Sequence, residues 1–246
     1  EAKEVFEKLG AKFIPISLPH TDYGLACYYI IQPAEVSSNL ARYDGIKYGY
    51  SADKLKTKNE KLKTLVDYYN FNRAQGFGNE AKRRIMMGTY VLSAGYYDAY
   101  YKKAMKVRTL VINDFKKAFN NVDAVLTPTT PSVPFKFGAK GNDPVQMYLE
   151  DVFTVGASMA GIPGISIPCG FVEEGYKQLR KVTNSYEKLH NNIATISNQS
   201  EPIVTNCNLL PVGLQILGPQ FGEETILAIA HQYQKETDYH RVTCNL

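Results

Sequence analysis

A long segment with a single helical period, from Gly76 to Phe119, constrains the fold of this chain more than any other feature. Apolar and small residues recur along it every three or four positions, the spacing that lines one face of an α-helix. They are Ile85, Gly88, Leu92, Gly95, Ala99, Val107, Leu110, Val111, Phe115 and Phe119. One helix of that length would measure about 60 Å at about 1.5 Å per residue, too long for a compact domain. We therefore predict two helices with a break near Ser93–Gly95.

The sequence also indicates how this helical pair begins and packs. Asn79 is a candidate N-cap, and Glu80 follows in the first turn, where a negative charge is favourable. Gly88 and Gly95 lack a side chain that would keep a neighbour at a distance, so we expect another backbone to approach this helix face.

The composition predicts a globular chain that can bury a sizeable core. Hydrophobic residues make up 44% of the 246 residues, and no apolar run approaches the about 18 residues of a membrane span. The formal net charge of +4 is weak and the lysines are scattered, which neither requires nor excludes contact with nucleic acid. The cysteines show no CxxC spacing and are predicted to be reduced thiols rather than disulfides or a zinc site. They are Cys27, Cys169, Cys207 and Cys244.

Strands and helices alternate along the rest of the chain, which predicts the α/β class with a mixed sheet. The predicted helices cover Glu1–Leu9, Ala34–Leu40, a segment starting at Asp143, and Glu223–Glu236, and the predicted strands cover Lys12–Leu18, Asp123–Thr127, Ile165–Ile167 and Gly213–Leu217. Pro33 is expected to interrupt the element formed by Ala26–Ile31. Residues 173–208 are polar and rich in asparagine, and we predict that they form a disordered insertion in a loop.

Five blocks of sequence, in a fixed order, carry a resemblance that covers nearly the whole chain outside its start and the insertion. They read SLPHTDYGLACYYIIQPAEVSSNLARYDGIKYGY, GFGNEAKRRIMMGTYVLSAGYYDAYYKKAMKVRTL, LTPTTPSVPFKFG, NDPVQMYLEDVFTVGASMAGIPGISIPCGF and LPVGLQILGPQFGEETIL. These blocks resemble the amidase-signature hydrolases, and among them the A subunits of the glutamyl-tRNA(Gln) amidotransferases. The resemblance implies an α/β/α sandwich around a mixed sheet, with residues 1–246 forming the C-terminal part of a single domain.

The resemblance also implies an activity. Members use a serine nucleophile, a second serine in a cis peptide and a lysine base, and the A subunits hydrolyse glutamine through an acyl-enzyme. Ammonia then passes to the B subunit, which uses ATP and magnesium to amidate Glu-tRNA(Gln), and the C subunit braces the other two. The resemblance implies that the A subunits themselves hold no cofactor or metal and do not contact a membrane. The compartment is left open between a bacterial-type cytoplasm and an organelle.

The chain departs from the family pattern at the catalytic residues. The family's nucleophile lies in a GGSSGGS-like run with the lysine upstream, and nothing in this sequence matches that run. The adjacent serines Ser37 and Ser38 stand in EVSSNL, without glycines. We therefore expect the catalytic triad to precede Glu1, and expect residues 1–246 alone to release no ammonia from glutamine.

The resemblance does reach residues that would bind the substrate. Free glutamine is a zwitterion, so a selective site needs a cation for its α-carboxylate and an anion for its α-ammonium. An arginine suits the carboxylate because its planar fork matches the two oxygens. The resemblance implies these roles for Arg84 and Asp151, with Tyr28 nearby in the pocket, and nothing local pairs Arg84 with Asp151. The alternative interpretations are a solvated helix arginine, a helix-surface aspartate and a core tyrosine.

Two further candidates are interpreted as structural. Cys169 in the sequence IPCG would suggest a cysteine glutaminase, but that chemistry needs a positioned histidine and no histidine here stands in a recognisable motif. The run His20–Asp22 is predicted to be a turn rather than a metal site or part of a triad. Two other functions stay open: a non-catalytic module that contacts partner subunits or RNA, and an amidase-signature hydrolase acting on a different amide.

Overall fold

The computed structural model of the chain describes residues 1–51, 64–140, 144–173 and 209–242. Within those ranges the protein forms eight α-helices and three β-strands. The helices are α1 (Ala2–Lys8), α2 (Gly24–Asn39), α3 (Leu65–Gly76), α4 (Asn79–Val91), α5 (Lys103–Ala118), α6 (Pro144–Tyr148), α7 (Val155–Ala160) and α8 (Glu223–Lys235), and the strands are β1 (Val125–Pro128), β2 (Gly164–Glu173) and β3 (Leu209–Leu217). The predicted α/β class is confirmed. Most of the predicted insertion, residues 174–208, lies outside the described ranges.

The long helical segment divides where the sequence predicted. Helix α4 ends at Val91, and a π-helical turn, Tyr97–Lys102, leads into α5. Between them Gly95 has a φ of +87°, a conformation that strains residues with a side chain. Among the described residues, no atom lies within 4 Å of the position that a Cβ atom on Gly95 would occupy. Gly95 therefore allows the turn between α4 and the π-helical turn, and the predicted close approach of another backbone at Gly95 is wrong.

Gly88 does make the close approach that the sequence predicted. A Cβ atom on Gly88 would lie 1.8 Å from the carbonyl oxygen of Pro33 and 2.8 Å from Cβ of Ser37. Helix α4 therefore packs with its backbone directly against α2. Because of this contact, side chains near the first turns of α4 come within hydrogen-bonding reach of α2.

Helix α2 contradicts the predicted interruption at Pro33, because it runs through that residue to Asn39. A proline inside a helix removes one hydrogen bond and costs about 3 kcal/mol. Pro33 is fully buried, and its carbonyl group lies against Gly88. The packing of α2 against α4 thus offsets the local cost of the proline, and the sequence around Pro33 does not reveal that packing.

Two other local predictions are wrong. The N-cap of α4 is Gly78, with no side-chain cap, and Asn79 is already the first helical residue, although Glu80 does lie in the first turn. Lys12–Leu18 has no regular secondary structure and pairs with no strand of the described ranges. Pro15 in its middle has no backbone N–H to give to a sheet.

The sheet of the described residues is small and antiparallel. Its strand order is β1-β3-β2, so β3 is central and pairs with both neighbours. Ile216 on β3 is opposite Leu126 on one side and Ile165 on the other. A register shift between Pro168 and Gly170 interrupts the long β2–β3 ladder. A mixed sheet was predicted, and the strand pairs within the described ranges are all antiparallel.

Helices α1 and α8 supply the side chains that complete the core beside this sheet. The Phe6 ring of α1 stacks on the Tyr233 ring of α8 with centroids 5.0 Å apart, and both are buried. Ile167 and Ile216 belong to the same cluster. Gly10, with a φ of +92°, follows α1, as its position after a predicted helix indicated.

The chain divides into two compact units. The first contains Glu1–Leu25 and Arg108–Leu246, and therefore the sheet with α1, α6, α7 and α8. The second, Ala26–Val107, contains most of α2 together with α3 and α4. No helix in the described ranges is long and apolar enough to cross a membrane.

Candidate substrate-binding site

Arg84 lies in a network of side chains from α2 and α4 in the second unit. Its Nε donates a hydrogen bond to Oε1 of Glu80 at 2.9 Å, and its Nη1 donates one to Oε1 of Gln32 at 2.8 Å. Its Cζ lies 5.2 Å from the centroid of the Tyr29 ring. The side chain is 19% exposed, so the guanidinium is held by neighbours instead of extending into solvent.

Helical spacing and one glycine explain how the network forms. Glu80 and Arg84 are four residues apart on α4, where side chains of one face meet. Gln32 comes from α2, adjacent to Pro33, whose carbonyl oxygen is the atom closest to a Cβ on Gly88. The glycine contact thus brings the two helices close enough for a direct hydrogen bond between them.

The electrostatics keep Arg84 charged. Partial burial alone would lower its pKa, but hydrogen bonds with Glu80 and Tyr28 raise it, and the net result is a pKa above the ordinary arginine value. A cation that is partly desolvated and fixed in one orientation interacts more strongly with an anion than a solvated one does.

The adjacent Arg83 is an example of a solvated helix arginine, which was the alternative interpretation of Arg84. Arg83 also pairs with Glu80, but its side chain is 45% exposed. Glu80 therefore contacts both arginines. The sequence did not identify this local partner of Arg84.

Tyr28 and Arg84 are brought together in the structure. A hydrogen bond with Tyr28 contributes to the raised pKa of Arg84, and the Tyr28 ring meets Tyr29 edge to face at 5.2 Å. Their shared role in binding a substrate stays a prediction. Gln32, Tyr29 and Glu80 were not predicted as members of this network. The four-residue spacings of Tyr28 with Gln32 and of Glu80 with Arg84 were the available signals.

Asp151 belongs to the first unit. It is the last residue of the 3-10 turn Leu149–Asp151 and is exposed. Its carbonyl oxygen accepts hydrogen bonds from the backbone N and Oγ1 of Thr154, at 3.0 and 3.1 Å. The preceding Glu150 is the more buried carboxylate and accepts from Ser132 and Lys140. The joint action of Arg84 and Asp151 stays a prediction.

A histidine–aspartate pair in the first unit was not predicted. Oδ2 of Asp114 accepts from the backbone N of His20 at 2.8 Å and lies 3.0 Å from its Nδ1. The Asp114 side chain is 5% exposed and that of His20 35%. His20 directly precedes the 3-10 turn Thr21–Tyr23, so its interpretation as part of a turn is confirmed. Both residues line a cavity of about 580 Å³ beside the second half of α5.

Asp114→Ala should destabilise the protein by about 1–3 kcal/mol, because it leaves the backbone N–H of His20 without its acceptor. Asp114→Asn keeps an acceptor oxygen and should cost less. Urea denaturation of both variants measures this, with Asp123→Ala, at an exposed position outside this pair, as the control. Equal stability of Asp114→Ala and the control would show that the pair contributes nothing.

The thiols of the described residues behave as structural groups. Cys27 is buried and Cys169 partly buried, and both are free cysteines. Burial, followed by the nearby Glu1 carboxylate, raises the pKa of Cys169 to about 11. The thiol is thus protonated near neutral pH, which disfavours a nucleophilic role. No cluster of three or more metal-ligating side chains occurs in the part of the chain that the structure describes.

Comparison with known proteins defines the class. A model of the amidase family matches residues 1–227, and the chain therefore belongs to the amidase family. It is 46% identical over 241 residues to the A subunit of glutamyl-tRNA(Gln) amidotransferase from Geobacillus sp. (strain WCH70), and 47% identical over 241 residues to that of Carboxydothermus hydrogenoformans. Each alignment covers 98% of this chain and 41% of the relative.

A solved structure supports the same relationship. The crystal structure of the glutamyl-tRNA(Gln) amidotransferase A subunit from Thermotoga maritima matches with 33% identity and a TM-score of 0.57. The match covers 97% of this chain and 38% of that protein. The amidase-signature fold predicted from the sequence is thus confirmed, and the chain spans about two fifths of the length of these relatives.

Proposed function

We propose that this chain contributes the glutamine-recognition residues of a glutaminase subunit in a glutamyl-tRNA(Gln) amidotransferase. The observation that carries the proposal is the partly buried Arg84 cation, which is oriented by Gln32 and Glu80 and lies beside Tyr28. The relatives named above are amidotransferases of this kind, which supports the choice of reaction. In the proposed reaction, glutamine is hydrolysed to supply the ammonia that converts Glu-tRNA(Gln) to Gln-tRNA(Gln).

Recognition follows from charge complementarity. The Arg84 guanidinium binds the α-carboxylate of glutamine, and Asp151 binds the α-ammonium group. Such charge-assisted hydrogen bonds are short and directional, and they select free glutamine over an amide that lacks either charge. Tyr28, which hydrogen-bonds with Arg84, contributes to the same proposed binding site.

Catalysis is proposed for a complete protein that also contains the serine nucleophile, the cis-peptide serine and the lysine base. The B and C subunits of the amidotransferase are its proposed partners, with the B subunit using ATP and magnesium on the tRNA. The alternative of a non-catalytic module predicts that substitutions at Arg84 or Asp151 leave glutamine use unaffected.

Asp151→Asn tests the proposal in a complete amidotransferase. We expect kcat/KM for glutamine to fall about tenfold to a hundredfold, since a charged hydrogen bond contributes about 1.5–3 kcal/mol. Glutaramate, which is glutamine without its α-ammonium group, should be hydrolysed equally by wild type and variant. An equal loss with both substrates would assign Asp151 a structural role. Asp238→Asn, at an exposed ion-paired aspartate, is the matched control.

A further inference from the structure

The two side chains that hold Arg84 by its Nε and Nη1 differ in charge. Glu80 is a carboxylate on the same helix, whereas Gln32 is a neutral amide on α2. We propose that Gln32 is a specificity-determining positioning residue, which orients the Arg84 guanidinium for an anionic α-carboxylate without neutralising it. This inference rests on the proposed role of Arg84 in binding glutamine.

The geometry fixes the guanidinium plane from two helices. Glu80 accepts from Nε at 2.9 Å and Gln32 from Nη1 at 2.8 Å, so two different nitrogens are restrained. The Tyr29 ring lies 5.2 Å from Cζ and limits tilting of the plane. A cation prepared in this way loses little side-chain freedom when a ligand binds, which favours affinity.

The charge count explains why the α2 partner is an amide. Glu80 contacts both Arg83 and Arg84, so this cluster of one carboxylate and two guanidinium groups carries a net charge of +1. A second carboxylate at position 32 would reduce that charge to zero, although it would hold Arg84 just as well. A neutral acceptor provides the orientation and retains the positive charge that attracts the substrate.

The decisive variants are Gln32→Glu and Gln32→Met in a complete amidotransferase with its partner subunits. For Gln32→Glu, the KM for glutamine should rise about tenfold or more, because the new carboxylate and the α-carboxylate of glutamine then repel each other at short range. Its kcat should change about twofold at most, and its melting temperature should not fall, because the new carboxylate pairs with Arg84. Gln32→Met removes the hydrogen bond at similar volume and should raise KM about fivefold.

Glu35→Gln, a charge change at an exposed position one turn further along α2, serves as the control and should leave KM unchanged. A melting temperature retained by Gln32→Glu while its KM rises supports positioning, since a purely structural role predicts that the two change together. Unchanged KM in Gln32→Glu overturns the inference. A fall in melting temperature together with equal losses of glutamine-dependent and ammonium-dependent amidation also overturns it. Arg84→Ala, assayed in parallel, separates the two ideas: if it uses glutamine normally, the proposed function itself fails.

Discussion

Arg84→Ala should lower kcat/KM for glutamine by about thirtyfold to several thousandfold in a complete amidotransferase that carries these residues. The estimate follows from the about 2–5 kcal/mol lost when one partner of a desolvated charge pair is removed, at about 1.4 kcal/mol per factor of ten. Arg84 is 19% exposed and oriented by two neighbours, so we expect the loss in kcat/KM to extend into the upper part of this range. Amidation supported by ammonium chloride should persist, because added ammonia bypasses the glutamine site.

Arg83→Ala is the matched control for this prediction. It removes the same residue type from the same helix turn and the same Glu80 partner, but at a side chain that is 45% exposed. We expect it to change glutamine use about fivefold at most, since exposed ion pairs contribute about 0–1 kcal/mol. If both variants lost glutamine-dependent and ammonium-dependent activity in parallel, Arg84 would be structural. If neither lost activity, Arg84 would have no part in binding.

Gly88→Ala should lower the free energy of unfolding by about 3 kcal/mol or more, at the upper end of the usual cost of overpacking. The added methyl group would lie 1.8 Å from the Pro33 carbonyl oxygen and 2.8 Å from the Ser37 side chain. Backbone atoms cannot rotate away, so α2 and α4 would have to separate. The same movement would lengthen the Arg84–Gln32 hydrogen bond and weaken glutamine binding as well.

Gly78→Ala provides the comparison for chemical denaturation of the Gly88 variant. Gly78 has a φ of −69° and open space at its Cβ position, so alanine fits there and should cost about 1 kcal/mol or less as an N-cap. Equal midpoints for the two variants would show that the close contact between α2 and α4 does not exist in the folded protein.

The sequence predicted those parts of the fold that depend on local periodicity. The break between α4 and α5, the close approach at Gly88, the end of α1 before Gly10 and strand β1 all follow from patterns within a few residues. The interruption at Pro33 was wrong because the cost of an internal proline is local, whereas the packing that offsets it comes from α4. Lys12–Leu18 alternates like a strand, but alternation supplies no pairing partner.

In the site, too, contacts between residues far apart in the sequence were the ones that were not predicted. The resemblance implied Arg84 and Tyr28, and the structure places them together. Gln32 and Arg84 are separated by 52 residues, and His20 and Asp114 by 94. Contacts of that range depend on how helices pack, which neither residue reveals in its own neighbourhood. Glu80 was identified only for its effect on the helix dipole, although its spacing also made it a partner for Arg84.

The central claim is that the Arg84 cation recognises the α-carboxylate of glutamine, and one comparison tests it directly. Ammonia release is measured with glutamine and with 4-aminobutanamide, which is glutamine without its α-carboxylate, for wild type and Arg84→Ala. We predict that wild type prefers glutamine by about thirtyfold or more and that the variant loses this preference, while 4-aminobutanamide is hydrolysed similarly by both. A preference for glutamine that survives in Arg84→Ala would contradict the claim.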